Sequence, residues 1–121
     1  MKIYKHRRFH QWAKSENLAD AALRKAIEEI SDGLHNGNLG SGLYKKRVAM
    51  PGKGKRGSYR TLLAFKHGEK AFFIYGFAKK VMENISDKEE AVYKDLAKEL
   101  LNLDEKVLEK MLKTGSLIEV K

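Results

Sequence analysis

Residues 51–60 read PGKGKRGSYR: Lys53, Lys55, Arg56 and Arg60, three glycines and no acid. Positive charge concentrated on so flexible a segment repels itself, and a polyanion that neutralises it is the natural ligand. The glycines let backbone N–H groups approach phosphate oxygens, while Lys53, Lys55 and Arg56 add charge. A nucleotide-triphosphate loop is excluded by context. That pattern ends in Gly-Lys-Ser/Thr and enters a helix, whereas Gly57 leads through Ser58 and Tyr59 into a strand pattern. Taken alone, the segment also reads as a solvated hairpin tip.

Arg60 is more informative. It lies within the strand pattern SYRTLLAF, on the same pleat face as Leu62 and Ala64. An arginine there is expected to be paired or functional, because a buried unpaired charge is costly. The alternative is a salt bridge to a carboxylate of the tail. Lys79 and Lys80 end the next strand, and Arg47 ends the preceding one after Lys45. In an antiparallel arrangement these segments meet at one edge, giving a cationic patch assembled from three pieces of chain. Tyr44, Tyr59, Tyr75 and Phe77 lie among these cations, as expected for stacking on unpaired bases; core packing is the competing role, above all for Tyr75 and Phe77.

Other chemistry finds little support. His6, His10, His35 and His67 are scattered. His6 and His10 stand four apart, but no carboxylate at fitting spacing completes a metal site. There is no hydrolase-type serine motif, and no Asp/Glu pair in the sheet region. The chain has no cysteine, which removes disulfides and thiolate metal sites.

The 121 residues carry a net charge of +9, unevenly placed. Gly33 to Gly68 contains no Asp or Glu but eight lysines and arginines, whereas residues 83–121 hold ten acids against seven lysines. A positive middle beside a mildly negative tail indicates a localised polyanion site, with a generally basic solvated surface as the bland alternative. No apolar run approaches the roughly 20 residues that span a bilayer. No basic amphipathic helix favours a membrane surface, and the N-terminus lacks a signal-type apolar stretch. A cytoplasmic protein is expected.

The elements that must position these residues are legible in outline. Phe9, Trp12 and Ala13 predict a helix over 6–15, and the stripe Leu18, Ala22, Leu23, Ala26, Ile27 and Ile30 predicts one over 18–31, with Asn17 as its cap. DGLHNGNLGSG reads as a glycine-rich loop. GLYKKRVAM, SYRTLLAF and AFFIYGFAK read as three strands, with KHGEK a hairpin turn. Short links make an antiparallel meander the economical topology. Ser86 and Glu89 predict a capping box; a further helix starts at Asp104 and closes at Gly115. SLIEVK is either a last short strand or a loose end, and residues 2–5 either a short strand or an irregular lead-in. The expected fold is α+β in one domain, 1–121: two N-terminal helices on a twisted antiparallel sheet, with 86–121 a helical C-terminal extension.

With these pieces in place, the chain resembles the RelE/HigB superfamily of toxins from bacterial toxin–antitoxin systems. The resemblance runs through FHQWAKSENLADAALRKAIEEISDGL, LGSGLYKKRVAMPGKGKRGSYRTLLAF, KAFFIYGFAKKVMENIS and LIEV, about nine-tenths of the chain. The middle two pieces are the specific ones. The resemblance implies a small RNase-like fold, cleavage of messenger RNA, generally on the ribosome, and inhibition by an antitoxin encoded next door. It implies no metal or other cofactor. Arg60 matches the family's arginine after Gly-Tyr, although the triplet here is Ser58-Tyr59-Arg60. Lys79 or Lys80 matches the basic residue after the aromatic strand, and Lys45 and Arg47 match the strand pair, with Lys53 and Lys55 as reinforcements. Tyr93 is the one candidate for a C-terminal tyrosine that some relatives use, but it falls within a helix pattern.

The implied catalytic set is Arg60, Lys79, Lys80 and Lys55, with Lys45, Arg47, Lys53, Arg56 and Tyr59 binding RNA. Arg60 would hold the phosphate in its planar fork, being a poor proton carrier. A lysine crowded by cations would move the proton. Two rivals stand beside this reading: a non-catalytic RNA-binding module using the same patch and partnered with an antitoxin, and a gyrase poison of the kind the same superfamily contains.

Overall fold

The computed structural model describes residues 1–49, 58–78 and 85–121. In chain order its elements are β1 (Lys2–His6), α1 (Arg7–Ser15), α2 (Asp20–Ser31), β2 (Gly37–Gly40), β3 (Leu43–Ala49), β4 (Ser58–Lys66), β5 (Lys70–Ala78), α3 (Asp87–Leu101), α4 (Glu105–Thr114) and β6 (Leu117–Glu119). The fold is mixed α+β, and the six strands form one sheet in the order β2-β3-β4-β5-β1-β6.

The β3-β4-β5 meander is antiparallel as expected, but the sheet as a whole is not. β1 inserts between β5 and β6, parallel to β5 and antiparallel to β6. Parallel neighbours need a long crossover rather than a tight turn, and this pairing joins Tyr4 to Phe72 across most of the chain. No local pattern announces it. The glycine-rich stretch expected to be loop also contains the short edge strand β2, paired with β3.

Both faces of the sheet are covered. On one, Phe9, Ala13, Leu23 and Ile27 of α1 and α2 pack with Tyr59, Leu63, Phe65 and Phe73. On the other, Ala97 and Leu100 of α3 and Leu108 of α4 pack with Leu43, Leu62, Ala64 and Phe72. Each large side chain so buried contributes about 1.5–3 kcal/mol. Double coverage explains why β4 is apolar on both pleat faces from Leu62 onward. A register shift between Leu62 and Leu63 pairs them with Tyr75 and Phe73 and leaves Ile74 as the extra residue. A bulge of this kind re-aims the side chains beyond it. Ile74 and Tyr75 then both join the α3 side, and Gly76 turns to α1, where a Cβ would collide with the Trp12 ring.

Local chemistry fixes the helix ends. The His6 imidazole caps α1 by accepting from the Arg8 N–H at 3.2 Å. Ser86 and Glu89 form the expected capping box on α3, and Gly115 ends α4 in the left-handed region at φ 80°. Asn17 does not cap α2. It sits at φ 58° in the preceding turn, a conformation asparagine tolerates, and the N-cap is Ala19, without a side-chain bond. The start of α2 is instead tied from outside: Asp20 accepts from Lys5 Nζ at 2.7 Å and from the Lys121 N–H at 2.9 Å. Lys46, buried on the α2 face, bonds the Leu34 carbonyl and pairs with Glu29 at 3.1 Å.

Candidate nucleic-acid interface

The site begins with strand register. In the β3-β4 ladder Arg47 stands directly opposite Arg60, and Lys45 opposite Leu62. Opposed residues of an antiparallel pair point to the same face, so Lys45, Arg47 and Arg60 share the α3 side of the sheet. α3 covers that face around Leu43, Leu62, Ala64 and Phe72. Toward Arg47 and Arg60 it leaves a cavity of about 160 Å³, lined by these three cations together with Asn36, Phe77 and Ile85 among others.

The walls around the cations are held firmly. Asn36 accepts the Arg47 N–H at 2.8 Å, fixing the end of β3. The Thr61 hydroxyl, fully buried, donates to the Lys46 carbonyl at 2.8 Å. Phe77 is cross-strand from Arg60 and 7% exposed, so it forms an apolar floor beside the guanidinium. Arg47 is exposed; Lys45 and Arg60 are half-buried. Like charges directly opposite repel across a strand pair, and a phosphate between two guanidiniums replaces that repulsion with charge-assisted hydrogen bonds.

The structure brings Lys45, Arg47 and Arg60 together. It takes Tyr59 elsewhere: the side chain faces α1, is 6% exposed, donates its hydroxyl to the Glu16 carbonyl at 3.0 Å and stands edge-on to Trp12. The strand period puts consecutive residues on opposite faces, so Tyr59 cannot share a surface with Arg60, and its expected role in stacking on bases is corrected to core packing. Lys53, Lys55, Arg56, Lys79 and Lys80 lie outside the described residues. Sequence reasoning missed Asn36 and Ile85, which carry no charge signal and reach the site only through the fold. Tyr93 is half-buried and stacks on Tyr75 at 5.4 Å; burial first, then Tyr75 and Glu89, push its phenol above the usual range, against the opposing charge of Arg8.

A family model described as RelE toxin of RelE / RelB toxin-antitoxin system matches residues 1–120. The chain belongs to the RelE toxin family. Membership implies a cognate antitoxin as partner. No curated protein matches the chain at a significant level. No helix among the described residues is long and apolar enough to cross a membrane.

Proposed function

We propose that this RelE-family chain is a cytoplasmic endoribonuclease that cleaves messenger RNA on the ribosome without a metal, restrained by an antitoxin from an adjacent gene. The observation that carries the reading is the opposed pair Arg47 and Arg60, with Lys45 on the same face, around one cavity. Three cations on a fixed sheet surface suit a phosphate whose charge grows during reaction, because donors held in place cost no reorganisation.

In the proposed step the RNA's 2′-hydroxyl attacks the adjacent phosphorus, forming a 2′,3′-cyclic phosphate and expelling the 5′-oxygen. A base takes the hydroxyl proton and an acid returns one to the leaving oxygen. Arg60 clamps the non-bridging oxygens and, with Arg47, stabilises the extra charge; neither moves a proton at neutral pH. Lys55, Lys79 and Lys80 are the proposed proton carriers, since a lysine among cations releases its proton more readily than one alone. Lys53 and Arg56 would add backbone contacts. Such modest acid–base equipment fits a reaction that relies on the ribosome to orient its substrate.

The test is induction of the gene alone and with its neighbours, followed by mapping of RNA 5′ ends. Growth arrest relieved by a neighbour, with new ends inside translated reading frames, is the expected result. Unbroken mRNA with RNA binding retained would replace the nuclease with a binding module. Unbroken mRNA beside broken DNA would replace it with a gyrase poison.

A further inference from the structure

A second and larger cavity, about 620 Å³, opens on the other side of Phe77. Its origin is a mismatch in strand length. β1 pairs with β5 only over Lys70–Phe73, and the chain then leaves the sheet at His6 to enter α1. Ile74–Ala78 therefore border a groove where, among the described residues, no strand follows. α1 forms one wall through Trp12 and Arg8, and α3 forms the other through Tyr93 and Leu96.

The groove has the chemistry of a stacking platform. Tyr93 lies nearly parallel on Tyr75, with ring planes 22° apart, and Trp12 is half-buried opposite. Among the described residues, His6 and the exposed Arg8 line it against one acid, Glu16. Arg8 is near enough for its charge to act on the Tyr93 hydroxyl. Phe77 lines this groove and the cationic cavity alike, so the two lie on either side of one ring.

We propose that the groove is a base-binding subsite: it takes an unpaired nucleobase of the same ribonucleotide strand whose phosphate lies against Arg47 and Arg60. The inference rests on the phosphate-binding reading of that cationic wall and adds the path the strand follows. Single strands are held by a basic track combined with aromatic faces on which bases stack, and here the two halves adjoin. A strand edge flanked by apolar side chains also suits an extended peptide. The wall's position just across Phe77 and the cationic rim favour the nucleic acid.

Trp12 is the only tryptophan, so the groove carries its own reporter. The probe is a 2′-O-methyl RNA hexamer, which lacks the attacking hydroxyl, with a 5′ fluorophore for anisotropy. Trp12 emission should be quenched saturably, with the same midpoint as the anisotropy change. Tyr93→Leu should weaken binding about tenfold. Arg8→Ala, at an exposed position where folding is not at stake, should lower the salt slope by about one. Hexamer binding that leaves Trp12 emission unchanged and is indifferent to both variants would overturn the subsite and leave the wall standing. Loss of hexamer binding altogether, in wild type and Arg60→Ala alike, would overturn the wall as well. Quenching by an antitoxin-derived peptide but not by the hexamer would make the groove a protein-docking site and overturn the proposal.

Discussion

At the scale of single residues, geometry separates two neighbours that sequence alone groups together. Arg60 and Tyr59 are adjacent, yet one faces the cationic cavity and the other the α1 core. Tyr59→Phe should therefore cost about 1 kcal/mol of stability through loss of the bond to the Glu16 carbonyl, and leave RNA cleavage unchanged. Urea unfolding and a cleavage assay on one preparation measure both. Arg60→Lys keeps the charge but loses the fork that grips two oxygens. Cleavage should fall about tenfold or more, short of the loss in Arg60→Ala. Arg60, Arg47 and Lys45 could be grouped from the sequence because charge inside a strand is anomalous, and the ladder puts all three on one face. Tyr59 was misplaced because an aromatic beside cations looks the same whether it stacks on bases or on a core.

At the scale of elements, the groove and the wall depend on how β5 is shaped. Gly76 admits the Trp12 ring only because it has no Cβ. Gly76→Ala should destabilise by about 1–3 kcal/mol, as overpacking does, and shift Trp12 emission. Ser86→Ala should cost about 1 kcal/mol by removing one arm of the capping box that starts α3; the urea midpoint reads it. Helices α1 and α2, the β3-β4-β5 meander and the caps of α3 and α4 were readable because each is written in local periodicity and end chemistry. β1 and β2 were not. β1 is five residues with two lysines, and Lys5 is tolerated inside only because Asp20 meets it. β2 is glycine-rich and half-exposed. Their partners lie far off in sequence or are fixed by packing, so no window of sequence contains the cause.

At the scale of the molecule, charge sets both binding and pH response. Three wall cations on a single strand should give a slope of about −2 in log affinity against log salt, steeper if residues 53–56 and 79–80 contribute. Stability should decline with acid in two stages. Burial, then Arg8 and Arg7, lowers the His6 imidazole, whose neutral ring caps α1. Its contribution is complete above the unfolded value of about 6.5 and fades as pH falls below it. Burial alone would raise the Asp20 carboxyl, but the Lys5 bond, the Lys121 N–H and the Lys5 charge outweigh it, and the net direction is down. That contribution holds above about pH 3.9 and is lost as pH drops through the lower folded value. Denaturant midpoints measured from pH 8 to pH 2 should show both, and Asp20→Asn should lose the lower stage while destabilising at neutral pH by stranding Lys5. The central claim is that a guanidinium wall on β3 and β4 holds the scissile phosphate. Single-turnover cleavage of mRNA on programmed ribosomes, wild type against Arg60→Ala, tests it most directly. The account predicts a rate reduced about a hundredfold or more with the melting temperature preserved; an unchanged rate in a folded variant would contradict it.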